Sequence, residues 1–252
     1  MLMEWYKTCA PDFLFEDTVG LLSVGSCEQH SDYLPAGTDG YIGYSIAKAA
    51  AKTCRARTLL LPPQTVGYSP HHREFKGYLT LSQKTMFRYY LEICRSAFEQ
   101  GLEKLLILNS HGGNQSCLQT VVNELGAKYN YRCILVRYWD LVADLVSEIR
   151  SSGEGGMGHA GEFETSLMLY LYPELVKEEA GENYKPAEGN FYYSPDMFAH
   201  NRIYQYKPFC EYSAQGNIGQ PQLADREKGR IIFERAVKAI ADLIDFYCIN
   251  QF

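Results

Sequence analysis

Three short stretches of this chain carry groups that can do chemistry. Residues 26–39 read SCEQHSDYLPAGTD and hold Glu28, His30 and Asp39. Residues 110–114 read SHGGN, with His111 ahead of two glycines. Residues 158–165 read GHAGEFET, with His159, Glu162 and Glu164. Imidazole together with carboxylate is the mixed donor set of zinc, manganese or iron. Glu28 and His30 are two apart, so in an extended segment they project to the same side. A carboxylate such as Asp39 has two oxygens and can bridge two cations. Each group also has a plainer reading. Glu28 as a solvated loop acid and His30 as a hydrogen-bonded polar histidine are both common. Acids in a first helical turn, such as Glu162 and Glu164, suit the helix dipole alone. Two apart on a helix these two point in different directions, so at most one serves a site. Glu162 either orients His159 or caps its helix, and the cap is the better reading. His111 is the sharpest case, because a polar histidine leaving a buried strand has few structural reasons to be there, and the glycines let backbone approach a ligand.

These stretches need a scaffold that brings them together. TVGLLSVG (18–25), RTLLLPP (57–63), KLLILN (104–109) and RCILVRYWD (132–140) read as strands, most of them near-continuous in apolar residues. Residues 38–52, 81–101, 114–130, 161–173 and 223–247 read as helices. Thr38 or Asp39 is the expected cap of the first, Gly101 the stop of the second, Asn114 the cap of the third and Pro173 the end of the fourth. Alternating strands and helices predict a single-domain, three-layer α/β/α fold over residues 1–252 with a mostly parallel sheet covered on both faces. Ligands in such a sheet bind beyond the carboxyl ends of the strands, which is where all three stretches fall. Residues 175–222, rich in Tyr, Pro and Asn, are expected to be an irregular lid or subunit contact.

Bulk properties narrow the function. The 252 residues carry a net charge of -6 and no basic block, which argues against nucleic acid or an anionic membrane surface as partner. No run reaches the length of a membrane span, and the start MLMEWYKTCAPDF lacks a signal-peptide pattern, so a cytoplasmic location is expected. Eight scattered cysteines without a CxxC pair read as free thiols. Cys27, beside Glu28, reads as a small half-buried side chain rather than a ligand or nucleophile.

Taken together, GSCEQHSDYLPAGTD, ILNSHGGN and GHAGEFETS, in this order and spacing, resemble the creatininase (creatinine amidohydrolase) family. HHREFKGYLTL and QPQLADREKG extend the resemblance, which runs from about residue 18 to the final helix. It implies an α/β hydrolase holding two divalent cations, zinc first and manganese or iron next, assembled as a homo-oligomer, a hexamer. It further implies that Glu28 and His111 hold one cation, that His30 holds the other and that Asp39 bridges them. Glu164 would be a second-cation ligand or a neighbour of the water between the cations, and His159 the proton shuttle. Ser69, His72, Gly113 and Asn114 are expected to bind substrate, whereas His71 is expected at the surface and His200 has no role.

Two departures bear on the substrate. Creatininases proper carry a carboxylate two residues after the second-block histidine, where this chain has Gly113. They carry a tryptophan on the loop before the shuttle histidine, where this chain has SSGEGGMG, its tryptophans being Trp5 and Trp139. The expected substrate is a small cyclic or formylated amide, opened at a C–N bond. The alternatives are hydrolytic ring opening of a cyclic ketone from sugar or inositol catabolism, and a non-catalytic metal-binding regulator.

Overall fold

The apolar runs form five parallel strands: β1 (Leu2–Glu4), β2 (Thr18–Val24), β3 (Arg57–Leu60), β4 (Lys104–Asn109) and β5 (Arg132–Arg137), in the order β1-β3-β2-β4-β5. The computed structural model describes residues 1–181, 184–185 and 188–250. Residues 182, 183, 186 and 187 of the excursion predicted over 175–222 therefore lie outside the described residues. Side chains alternate across each strand with period two. On β4, Leu105 and Ile107 face one way while Leu106 and Leu108 face the other, and each pair is buried in a different core. Two apolar faces on one sheet require two covering layers. Helices α1 (Thr38–Thr53), α5 (Glu162–Leu171) and α6 (Arg226–Ile249) cover one face; α2 (Gln83–Glu99) and α3 (Gln115–Tyr129) cover the other. The three-layer parallel architecture read from the sequence is the one observed. Among the described residues no helix is long and apolar enough to cross a membrane.

The local signals behaved unevenly. Ser82 caps α2, its hydroxyl accepting from Thr85 N at 3.2 Å, and Asp225 caps α6 by accepting from Lys228 N at 2.8 Å. Gly101 ends the α2 turn with φ of 109°. The caps expected for α1 and α3 are absent: Gly37 and Asn114 occupy those N-cap positions, and neither offers a side-chain hydrogen bond to the helix. Tertiary demands win at both places. Two elements went unread, the edge strand β1 and the short helix α4 (Ala143–Ile149). Each has too few residues to set up a period. The strand predicted to run to residue 140 stops at Arg137 and becomes a 3-10 turn over Tyr138–Val142.

Candidate metal centre

β2 and β4 end level, with Val24 beside Asn109. The chain leaves β2 for β3 on one side and β4 for β5 on the other, which opens a crevice at their carboxyl ends. The 26–39 segment and the 110–114 turn fill this crevice. A Cβ on Gly43 would collide with Ser110 Oγ, so the glycine lets α1 press against the end of β4 and carries Asp39 into the crevice. The Asp39 carboxylate is thus turned away from capping its own helix.

Glu28 and His30 are fully buried, and Asp39, His111 and Glu164 nearly so. Asp39 lies between two imidazoles, Oδ1 3.2 Å from His30 Nε2 and Oδ2 3.1 Å from His111 Nδ1. Glu164 Oε2 is 3.9 Å from His30 Nε2, and Glu28 Oε2 is 3.2 Å from His111 Nε2. His30 Nδ1 donates to the Glu28 carbonyl at 3.0 Å, which directs Nε2 at the carboxylates. Glu28, His30 and Asp39 form one set of donor atoms within 4.8 Å of one another, and His30, His159 and Glu164 form another. Glu28 Oε1 and Asp39 Oδ2 are buried with no hydrogen-bond partner. Buried carboxylate oxygens left without a hydrogen bond are what a cation needs.

The protonation pattern points the same way. Burial would lower the imidazole of His30, yet Asp39 and Glu164 raise it to about 9. Burial likewise opposes the charge on His111, and the Glu28 and Asp39 carboxylates hold it well above the ordinary histidine value. Burial would raise Glu28, but His111 and His72 keep it well below the usual carboxylate range. Burial raises Glu164 to about 7 against the pull of His30. Without a cation the cluster balances its carboxylates with protons on histidine, so cation binding displaces protons.

The bracing is built from the predicted substrate residues. Ser69 is fully buried and donates to Glu28 Oε2 at 2.5 Å, with Ser26 Oγ against its other side. Asn114 Nδ2 donates to Gly25 O at 2.9 Å and its Oδ1 accepts from Tyr68 N at 2.9 Å, tying the two loops together instead of capping α3. His72 is fully buried, with Nε2 3.4 Å from Glu28 Oε1. None of these three lines the cavity, whereas Gly113 does. A Cβ on Gly113 would strike His111 Nε2 and Tyr68 O, so a side chain at this position demands a shift of His111.

His159 approaches from the loop before α5. Its Nε2 donates to Gln29 O at 2.7 Å, and Nδ1 lies 3.5 Å from Glu28 Oε1. Burial, with His30 next, pushes this imidazole well below the ordinary histidine value, so it is neutral. Glu164 Oε2 accepts from Ala160 N at 2.6 Å, and Ala160 adopts a left-handed φ of 51°. Glu162 neither orients His159 nor caps α5. Its oxygens accept from Ser151 N and Ser152 N, each at 2.8 Å, and from Lys228 Nζ at 2.6 Å, pinning the glycine-rich loop to α6. Cys27 is half-buried, and burial holds its thiol above the ordinary value, which suits the plain structural reading.

The site opens into a cavity of about 610 Å³. Glu28, Asp39, His111, His159 and Glu164 line its floor; Tyr193, Tyr204, Lys207, Phe209 and Tyr212 from the excursion line its cover. Among the lining groups that the sequence did not reveal are His71, Trp139 and Phe209. His71, expected at the surface, is half-buried and stacks on His111 with ring centroids 5.6 Å apart. Trp139 reaches the cavity from the turn after β5, and Phe209 packs on the rings of His71, His72 and His159. The histidine pair at 71–72 was the available signal for His71. Phe209 sits in a stretch with no periodicity, where one aromatic looks like another.

A family model for creatininase, described as creatinine amidohydrolase, matches residues 5–244. The chain belongs to the creatininase family. Creatinine amidohydrolase from Pseudomonas putida is 28% identical over 243 residues, covering 90% of this chain and 89% of that one. A mycofactocin precursor peptide peptidase from Mycobacterium ulcerans (strain Agy99) is 29% identical over 230 residues, covering 86% and 80%. A mutant creatininase complexed with creatine superimposes with a TM-score of 0.82 at 25% identity, covering 98% of this chain and 99% of that one. Creatininases solved in a manganese form and a zinc–zinc form give TM-scores of 0.77 and 0.76 at 26% and 27% identity, each covering 93% of this chain and 93% and 92% of theirs. Creatininase-family relatives thus share the fold from end to end, while their names span a cyclic small molecule and a peptide.

Proposed function

We propose that this chain is a dinuclear metal-dependent amidohydrolase that opens a C–N bond of a small cyclic or formylated amide. The observation that carries the reading is the buried convergence of Glu28, His30, Asp39, His111 and Glu164 with Glu28 Oε1 and Asp39 Oδ2 unpaired. His30, Asp39 and Glu164 would hold one cation; His111, Asp39 and Glu28 would hold the other. Two imidazoles with three carboxylates suit zinc, and manganese or iron also fit this donor set. Such cations polarise a carbonyl oxygen and lower the pKa of a bound water to roughly 7.

The chain's own groups supply the rest. Asp39 spans the two imidazoles and fixes their separation. His159 is neutral with its Nε2 proton committed to Gln29 O, so Nδ1 is the atom that takes a proton and returns it to the leaving nitrogen. A placed acid of this kind is worth about 10²–10⁴-fold. Glu164 holds Ala160 N and so sets the loop that presents His159. Trp139 and Phe209 wall the cavity beside the reacting groups. Two relatives named for cleaving a cyclic amide and a peptide support C–N hydrolysis. Exposed Phe191, Tyr192 and Tyr204 support a subunit contact and a homo-oligomer.

The test is metal analysis of the purified protein followed by a panel of lactams, formamides and cyclic ketones. We expect two tightly held cations per chain and turnover of an amide with release of a new amine. Protein reconstituted with zinc and manganese that opens only cyclic ketones, or that retains no metal, would overturn this reading.

A further inference from the structure

His72 is a fully buried imidazole with neither ring nitrogen hydrogen-bonded, a costly arrangement that calls for a physical reason. Its Nε2 faces Glu28 Oε1 at 3.4 Å. That oxygen is itself buried and unpaired, while the other oxygen of Glu28 is engaged by Ser69 and His111. His159 Nδ1 comes within 3.5 Å of the same Oε1. Because His159 Nε2 donates to the Gln29 carbonyl, Nδ1 is the ring nitrogen left free to bind. Two ring nitrogens and a carboxylate oxygen therefore converge with no hydrogen bond between them.

We infer that Glu28 Oε1, His72 Nε2 and His159 Nδ1 form a further cation site, weaker than the main centre, that takes zinc. The three donor atoms lie within 4.8 Å of one another. Two imidazoles and one carboxylate are the ligand set of open, three-ligand zinc sites. Donor atoms about 2.0–2.1 Å from a tetrahedral ion are roughly 3.3 Å apart, close to the 3.4 and 3.5 Å observed. The Phe209 ring lies 4.5 Å from the His72 ring and 5.0 Å from the His159 ring and closes the site on the cavity side. Magnesium, which prefers oxygen donors and keeps its waters, does not suit such a site. Filling it occupies Nδ1 of His159, the atom assigned to proton transfer, so excess zinc inhibits. That inhibition rests on the function proposed above; the binding does not.

The test is equilibrium dialysis of the full chain against Zn²⁺ alone, with His72→Ala and His72→Gln beside wild type. Circular dichroism and melting identify the variants that fold. We expect wild type to bind one weaker Zn²⁺ equivalent beyond the tight ones, and both variants to bind that equivalent at least about 100-fold more weakly while keeping the tight ones. Anomalous scattering at the zinc edge from crystals soaked in excess zinc places the extra ion between His72 and His159. Wild type that saturates at the tight equivalents, or anomalous density without a peak there, overturns the inference and leaves the main centre standing. Wild type that binds no zinc overturns both. Should both variants fail to fold, the wild-type stoichiometry and the anomalous map decide alone.

Discussion

The floor and the cover of the cavity are built on opposite principles. The floor stands on the ends of β2 and β4, and its ligand candidates are buried and braced by named hydrogen bonds, such as Ser69 on Glu28, the Glu28 carbonyl on His30 and Asn114 between the two loops. The cover comes from irregular chain around residues 191–212, where Phe191, Tyr192, Tyr204 and Tyr206 are more than half exposed. Loops placed on a rigid sheet hold charge where a reaction needs it, while loosely tied chain can vary without disturbing that placement. On the function proposed above, the floor would carry the reaction and the cover would select the substrate.

The largest effect is expected at Asp39. Asp39→Ala removes the carboxylate between two imidazoles and should empty both cation positions. Metal analysis should show the loss, with several kcal/mol of transition-state stabilisation gone, about 10³-fold or more in rate. Retention of both cations would mean that Asp39 is not the bridge. His159→Gln should slow turnover by about 10²–10⁴-fold with the tight metals retained, read by steady-state kinetics beside metal content. Gly113→Ala pushes a methyl at His111 and should weaken metal affinity by about 10–100-fold in a chelator competition. Unchanged affinity would show the floor to be more yielding than its packing suggests. On the cover, Phe209→Ala should raise KM by about tenfold, near 1.4 kcal/mol, and leave the tight metals in place. A large fall in metal content there would erase the distinction between the two regions.

The smallest effect serves as the control, far from both. Asp245 on α6 accepts from Arg55 N and Ala56 N, each at 2.8 Å. Burial would raise its carboxyl, but the Ala56 and Arg55 N–H groups hold it below the usual carboxylate value. A depressed carboxyl stabilises the fold above its unfolded value of about 3.9 and loses that contribution as pH falls below it. Asp245→Asn should therefore cost about 1 kcal/mol at neutral pH, shrinking toward zero as pH drops below about 4, with activity unchanged. Thermal melts across that range check the sign.

Much of the floor could be read directly. Glu28 and His30 are two apart and offer donor atoms within 4.8 Å of one another, and the three blocks expected at the strand ends meet at one carboxyl edge. The roles expected of Ser69, His72 and Asn114 were harder to read. Type and neighbourhood suggested contact with substrate, but the structure turns each toward Glu28 or the backbone, because buried polar groups go where partners are. Asn114 and Asp39 looked like helix caps for the same reason, since local rules assume that a side chain has only local partners.

The amino-acid order by itself determined the alternating strands and helices, the two apolar faces of the sheet and which acids and histidines leave its carboxyl edge. These follow from periodicity and chirality, which act over a few residues. Only the tertiary structure decided that residues from 28 to 164 share one buried cluster, that Gly113 has no room for a side chain and that Phe209 closes over two histidines. Those outcomes depend on distances between segments remote in the chain, and these are set by how helices and sheet pack.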